Sequence, residues 1–267
     1  MKYAVLLLLP TLLLASCRGQ DTPAVTTSTS VSGTVREFGI PGPGDIVIPT
    51  TAWTGGAGTV KATITDGGTQ GATSAALNGS GAFTLTLPTA IPAQSLSSDI
   101  FIVSGADGLS CTGTPTVSDP AAQFATLEVE VAAGKSGPIA PGRLSQTGAA
   151  TASAGFSYEL GVLIYADRPV SITGSQTCTL NQGGQPSTVT TSLNLNLGLG
   201  WNKATTTANF SYNAQQLTLT GVALNSGAFP TEEWIYLDSD TLASAALHRP
   251  ALKLPAGLSP FKFSGLR

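Results

Sequence analysis

The sequence predicts an all-β protein built from two antiparallel β-sandwich domains. From Val31 onward, short apolar alternations recur between clusters of Gly, Pro, Asn and Asp, which is the pattern of strands and turns. The 267 residues include 31 Gly and 17 Pro, whereas charged residues make up only 10%. Hydroxyl and amide groups must therefore form much of the surface, as is common in exported β proteins. The length permits one large or two ordinary domains.

Residues 1–16 have the three parts of a cleaved signal peptide. Lys2 supplies a positive charge, Ala4 to Leu14 form an apolar run, and small residues precede a cysteine at position 17. The apolar run is too short to span a bilayer comfortably, since a spanning helix takes about 20 residues. We therefore expect an exported protein whose mature chain begins at Cys17.

The tetrapeptide that closes this run resembles the lipobox of bacterial lipoproteins: Leu14-Ala15-Ser16-Cys17. The resemblance implies that Cys17 is lipidated on its thiol and that two or three acyl chains anchor the protein stably in a membrane. In that family an Asp after the cysteine commonly marks inner-membrane retention, and this chain has Arg18. The implied location is therefore the cell envelope, at the outer membrane or the cell surface. The alternative is an ordinary signal peptide with a cysteine close to the cleavage site.

Residues 17–30 predict a lipidated, flexible tether, because almost no large apolar side chain occurs after Cys17. Fully extended, the part after Cys17 would reach about 40 Å. The first sandwich is predicted over residues 31–133. Its core positions alternate with polar residues along three strands: Val60, Ala62, Ile64, Phe83, Leu85, Leu87, Leu127, Val129 and Val131. Between two strands, Asn78 to Gly81 predict a tight hairpin turn.

Three stretches of this first half are similar to a known module: Val31 to Val35, Val60 to Ile64, and Gly81 to Pro88. They resemble the prealbumin-like, carboxypeptidase-regulatory-like sandwich modules of envelope proteins, which open with a Val-x-Gly-x-Val strand and close a hairpin with Gly-x-Phe. The resemblance implies a β-sandwich and says little about function.

A Pro/Gly/Ser-rich linker is predicted over residues 134–155, and the second sandwich over 156–267. In this half, Leu160 to Tyr165 form a continuous apolar run suited to a central strand. The leucines from Leu193 to Leu199 alternate with polar residues and lead to Trp201, which predicts one further strand. Trp201 and Trp234 fall on such alternations and are expected in the core.

Two cysteines remain once Cys17 is lipidated. Cys111 and Cys178 are read first as a disulfide, since an even pair in an exported protein lies in an oxidising compartment. A zinc site is disfavoured because there is no Cys-x-x-Cys and the chain has one histidine. We therefore predict no metal and no cofactor.

The sequence carries no recognisable reaction centre. His248 is the only imidazole, and an isolated histidine is more often a surface or packing residue than a base. Asp238 and Asp240 offer two carboxylates to calcium, yet the other ligands of an EF-hand loop are missing, so a solvated loop is preferred. Glu232 and Glu233 cannot form a glycosidase pair with each other, because adjacent strand residues point to opposite faces.

Function is accordingly predicted as non-enzymatic: a membrane-anchored envelope protein that binds or braces another envelope component. Without the leader the chain has 11 basic and 15 acidic residues, so nucleic acid is excluded as an expected partner. The first alternative is a carbohydrate-binding module for cell-wall or surface polysaccharide, with Trp53 in a glycine-rich loop as a candidate ligand contact. The structural interpretation, in which Trp53 caps the end of its sandwich, is preferred. A carboxylate-based hydrolase is the remaining alternative.

Overall fold

The chain is all-β in the computed structural model. The structure describes residues 28–39, 47–64, 72–89, 91–98, 109–147, 153–182, 185–213 and 216–237. Within these ranges the one helix is a single 3₁₀ turn at Ala93–Ser95, and every other regular element is a strand. The expected all-β class is confirmed. No helix in these ranges is long and apolar enough to cross a membrane.

The described residues form fifteen strands, of which β9 to β14 are the longest. The first eight are β1 Ser30–Phe38, β2 Thr50–Ala52, β3 Gly58–Ile64, β4 Thr73–Leu77, β5 Ala82–Thr86, β6 Leu109–Thr112, β7 Thr116–Val117 and β8 Phe124–Ala132. The other seven are β9 Ser136–Thr147, β10 Ser153–Ala166, β11 Val170–Gln182, β12 Gln185–Leu197, β13 Gly200–Asn213, β14 Gln216–Ser226 and β15 Glu233–Tyr236.

Strand pairing connects all fifteen strands in one network. The main path runs β2-β1-β15-β9-β8-β10-β13-β14-β12-β11-β6, and β5, β3 and β7 attach to β1, β8 and β11. The fourth strand pairs with β3 alone. Long antiparallel ladders dominate the C-terminal part, where β10 pairs with β13 from Ser153 to Ala166.

Two pairs are parallel, which corrects the expectation of purely antiparallel sheets. One joins β1 to β15, and the other joins β12 to β14. The second follows from chain order: β14 pairs antiparallel with β13 and lies between β13 and β12. A strand inserted into an up-and-down pair in this way must run parallel to one of its neighbours.

The segment predicted as a linker contains a strand. Within 134–155, β9 occupies Ser136–Thr147 and pairs with β8, β10 and β15. Two prolines lie within this strand, in register with partner residues: Pro138 faces Glu130 on β8, and Pro141 faces Trp234 on β15. Pairing also crosses this segment, since β15 joins β1 and β10 joins β8. The division into two separate sandwiches stays a prediction.

The core consists of three apolar clusters, and all three draw on both halves of the chain. The largest combines N-terminal residues such as Val35 and Leu85 with Leu163, Trp201 and Trp234. A second packs Phe38 and Ile48 with residues of β9, β10 and β15. The third lies under the long C-terminal strands, around Ile172, Leu195 and Leu197. Trp201 and Trp234 are buried, as predicted.

Two turns differ from their predictions. Asn78 does start a turn, where its side-chain oxygen accepts hydrogen bonds from the backbone N–H groups of Ser80 and Ala82, and Gly81 has φ +88°. The flanking strands are not a paired hairpin, because β4 pairs with β3 and β5 with β1. The alternation that ends at Trp201 is two strands: β12 ends at Leu197, and Leu199 is 59% exposed in the turn.

Candidate functional site

Trp53 is buried, not displayed. Its side chain is 5% exposed, and its ring meets Tyr236 edge-on with 5.5 Å between centroids. The indole N–H donates to the carbonyl of Gly56 at 2.8 Å, so the polar end of the ring is satisfied within its own loop. The ring presents no open face on which a sugar could stack.

The glycines beside Trp53 have a packing role, although a glycine-rich composition is also typical of exposed loops. A Cβ on Gly55 would collide with the indole ring, and the carbonyl of Gly55 accepts the N–H of Gly134 at 2.9 Å. The backbone therefore passes directly over the aromatic ring, which only glycine permits. The glycine-rich composition reflects this close approach and not solvent exposure.

An ion pair lies next to this loop. Lys135 donates to a carboxylate oxygen of Glu37 at 2.7 Å, and the other oxygen accepts from the backbone N–H and the hydroxyl of Thr54. Partial burial of Glu37 opposes its charged form, but the hydrogen bonds from Lys135 and Thr54 outweigh it and lower the pKa of the carboxyl below its ordinary value. The group fastens the loop of Trp53 to β1.

The carboxylates considered for hydrolysis do not converge. Glu233 accepts a hydrogen bond from Thr50 at 2.8 Å and faces Arg36, whereas Glu232 is exposed. Among the described residues no group of three or more His, Cys, Asp or Glu side chains is placed to hold a metal ion. Asp167 and Asp119 both pair with Arg168, and the side-chain hydrogen bond from Arg168 lowers the pKa of Asp167.

Cys111 and Cys178 form a disulfide. The two residues face each other in register on β6 and β11. The bond therefore ties a four-residue strand to the edge of the C-terminal sheet. The pairing predicted from the sequence is confirmed, and the bond joins two neighbouring strands.

Four neighbouring strands share a polar sheet face. We call it the hydroxyl face; it comprises residues on β11, β12, β13 and β14 that are exposed or half-buried, whereas many of their neighbours in sequence, such as Ile172, Leu193 and Ala204, are buried. Its members are Thr173, Ser175, Thr177, Thr179, Thr188, Thr190, Ser192, Asn194, Thr205, Thr207, Asn209, Gly221, Ala223 and Asn225.

Register arranges this face in rows across the strands. One row runs through Ser175, Ser192, Ala223 and Thr207, and the next through Thr177, Thr190, Gly221 and Asn209. Adjacent positions in a row are about 4.8 Å apart, and successive rows about 6.8 Å apart. Thr177 and Thr190 hydrogen-bond to each other through their hydroxyls at 3.0 Å, which confirms that both point to the same side.

Charged residues border the hydroxyl face, and Glu159 lies in register beside its member Thr207. At one margin Arg143 and Glu159 form an ion pair across β9 and β10, so they compensate each other. At one end Lys203 lies over the ring of Phe229, with 4.8 Å between its nitrogen and the ring centroid. Sequence analysis did not single out this face. The alternation of hydroxyl and amide residues along these strands was the available signal.

Several predicted sites fall outside the described residues. These are the signal peptide 1–16, Cys17 with most of the tether, the Asp238 and Asp240 pair, and His248.

Comparison of the chain with protein-family models, curated proteins and solved structures finds no significant match. We therefore infer function from the residues and from their placement in the fold.

Proposed function

We propose that this chain is a lipid-anchored protein of the cell envelope that binds another envelope component and is not an enzyme. One sequence observation carries the proposal: the apolar run after Lys2 ends in Leu14-Ala15-Ser16-Cys17. On this proposal residues 1–16 are removed, Cys17 carries the acyl chains, and residues 17–30 tether a β-sandwich body to the outer membrane or the cell surface.

Two structural features support this assignment. The disulfide between Cys111 and Cys178 fits an oxidising compartment, because such bonds are rare in proteins of the reducing cytosol. The hydroxyl face offers a broad surface on which a second component can dock, while the carboxylates of Glu37, Glu159 and Asp167 are each engaged by a basic side chain. This arrangement suits binding better than hydrolysis.

Substitution of the anchoring cysteine tests the proposal. Cys17→Ser removes the only thiol that the lipidating enzyme could use, so we expect the variant to leave the membrane fraction and to keep its leader uncut or miscut. The measurement is membrane fractionation after a high-salt wash, together with the mass of the N-terminal peptide. Arg18→Ser is the matched control, because it changes the next residue and leaves the thiol.

Membrane retention of Cys17→Ser equal to that of the parent chain would contradict the lipid anchor. In-cell cross-linking of envelope fractions then identifies the component that is bound. Recovery of cytosolic neighbours only would contradict the envelope location.

A further inference from the structure

We infer that Asn78 is a self-catalysed modification site, where the turn between β4 and β5 promotes deamidation of the asparagine to aspartate and isoaspartate. The reaction uses groups of this turn and water as its only co-reactant. The inference goes beyond the proposed function and does not depend on the lipid anchor.

Asn78 is the one asparagine in the sequence that is followed by glycine. In such a pair the backbone nitrogen of the glycine can attack the side-chain amide carbon of the asparagine, because glycine has no side chain that hinders the approach. Asn78, Gly79 and Ser80 are all exposed, so water reaches the reacting atoms. A Cβ on Gly79 would meet nothing within 4 Å, so the space around this residue is open. The reactive pair is therefore accessible in the folded protein.

Hydrogen-bond donors surround the side-chain oxygen of Asn78. It accepts from the backbone N–H of Ser80 at 3.0 Å, from the hydroxyl of Ser80 at 2.9 Å and from the backbone N–H of Ala82 at 2.8 Å. The turn holds these donors in place, since the backbone of Asn78 also pairs with Gly81 and Ala82. Donors fixed at such distances form an oxyanion site, which favours negative charge on the oxygen at its centre. The amide carbon of Asn78 is thereby made more open to attack.

The same donors stabilise the charge that the reaction creates. The backbone nitrogen of Gly79 gives its proton to hydroxide and bonds to the side-chain amide carbon of Asn78, whose oxygen takes up the negative charge. Collapse of this intermediate closes a succinimide ring, and the side-chain nitrogen leaves as ammonia after taking a proton from water, which regenerates hydroxide. Water then opens the ring at the side-chain carbonyl, giving aspartate, or at the main-chain carbonyl, giving isoaspartate. The net change is the gain of one water and the loss of one ammonia.

The two products differ in their effect on the turn. Aspartate at position 78 keeps an acceptor for Ser80 and Ala82, and its charge strengthens these hydrogen bonds. Isoaspartate routes the main chain through the side chain and so adds a backbone carbon between Leu77 and Phe83, which are both buried. Because β4 pairs with β3 and β5 pairs with β1, the longer link loosens the connection between two ladders. Both changes are one-way, since the ammonia is lost.

Peptide mass spectrometry of the full mature chain tests the inference. The protein is incubated at neutral pH, either folded or unfolded in urea, and is then digested at acidic pH, where the reaction stops. We expect the peptide that contains position 78 to deamidate faster in the folded sample, because only the folded turn holds the three donors in place. The rate should rise with pH, since the attacking nitrogen must lose its proton. Asn225, which is exposed and is followed by Ser226, is the internal control and should stay unmodified over the same period.

Substitutions separate promotion by the turn from accessibility alone. Ser80→Ala removes one donor and should slow deamidation about fivefold, the effect of losing roughly one hydrogen bond. Thr84→Val is its matched control, because it removes an exposed hydroxyl from β5 outside the turn and should leave the rate unchanged. Gly79→Ala should nearly abolish the reaction: its methyl group hinders the attack, yet enters open space on backbone outside the left-handed region, so the turn is kept.

Equal or faster deamidation in the unfolded chain would overturn the inference, because the turn would then protect Asn78 or leave it unaffected. A rate in Ser80→Ala equal to or above that of the parent chain would also overturn it. Circular dichroism checks that each variant folds, and the comparison of the folded and unfolded parent chain decides the outcome if one does not. None of these measurements involves Cys17, so their failure leaves the proposed function untouched.

Discussion

At the scale of single residues, Trp53 is buried, in line with the structural interpretation that the sequence favoured over a surface ligand contact. Periodicity describes strands well, but a loop tryptophan has no period to place it. The deciding contacts come from Gly134 and Tyr236, which are distant in sequence. No inspection of residues 50–58 alone could supply them.

Trp53→Ala should destabilise the protein by about 3 to 5 kcal/mol, the usual loss for a large aromatic side chain removed from a core. The measurement is equilibrium unfolding in urea. Trp53→Phe serves as the control, because it keeps a ring beside Tyr236 and loses only the hydrogen bond to Gly56, at about 1 kcal/mol. An unchanged free energy of unfolding in Trp53→Ala would contradict burial and would support the alternative of Trp53 as a surface ligand contact.

Glu37 links the same loop to pH. Because its pKa is lower in the folded protein than the ordinary 4.5, its contribution is present above about pH 4.5 and is lost as the pH falls through the folded value. The expected contribution is below about 1 kcal/mol, since Lys135 is 39% exposed. The free energy of unfolding, measured in urea between pH 3 and 6, should therefore change less with pH in Glu37→Gln than in the parent chain.

Glu232→Gln is the control for this pH series, because it removes an exposed carboxylate that lies outside the loop. The same dependence of unfolding free energy on pH in Glu37→Gln and in the parent chain would contradict the role of the ion pair.

At the scale of elements, β6 depends on its covalent bond. It has four residues and pairs only with β11, so few ladder hydrogen bonds hold it. Joining residues 67 positions apart removes chain entropy from the unfolded state worth about 4 kcal/mol. We expect Cys111→Ala with Cys178→Ala to lose most of that stability and to speed amide exchange in β6 first.

Hydrogen exchange followed by mass spectrometry measures this local effect. The strand β7 provides an internal reference, since it also pairs with β11 and has no disulfide. Equal acceleration in β6 and β7 would contradict a local role, and two free thiols on alkylation before reduction would contradict the bond itself.

The alternation in the sequence predicted most strands but not their ends. Val60, Phe83 and Leu127 fall in strands and are buried as expected. The prediction of one strand from Leu193 to Trp201 is wrong, because a turn separates two strands there. That turn depends on Asn202, whose buried side chain hydrogen-bonds to the backbone of Gly198 and Gly200. Composition favoured a linker where β9 lies, since Pro and Gly mark loops unless neighbouring strands supply the pairing.

At the scale of the whole molecule, pairing between distant strands was beyond local patterns. β1 obtains partners from β5, at moderate separation, and from β15, near the C-terminal end of the described chain. The hydroxyl face likewise arises because four strands meet in one register. Sequence alternation could place each hydroxyl on a side of its strand but could not assemble the rows.

Separate expression of residues 28–133 and 134–267 tests the predicted division into two domains. We expect neither half to unfold cooperatively, because β1 would lose β15 and the largest apolar cluster would lose Trp201 and Trp234. Circular dichroism during thermal unfolding is the measurement, with the intact mature chain as reference. Two cooperative transitions that match those of the intact chain would instead establish independent sandwiches.

The position of β1 has a mechanical consequence. Its neighbour Ser28 donates a hydrogen bond to the carbonyl of Trp201, and β1 is held between β5 and β15. Tension applied at Ser28 along the axis of β1 therefore loads these ladders in shear, so that many hydrogen bonds must break together. A strand peeled from an edge loses them one at a time. The end of the body nearest the N-terminus is thus built to resist pulling.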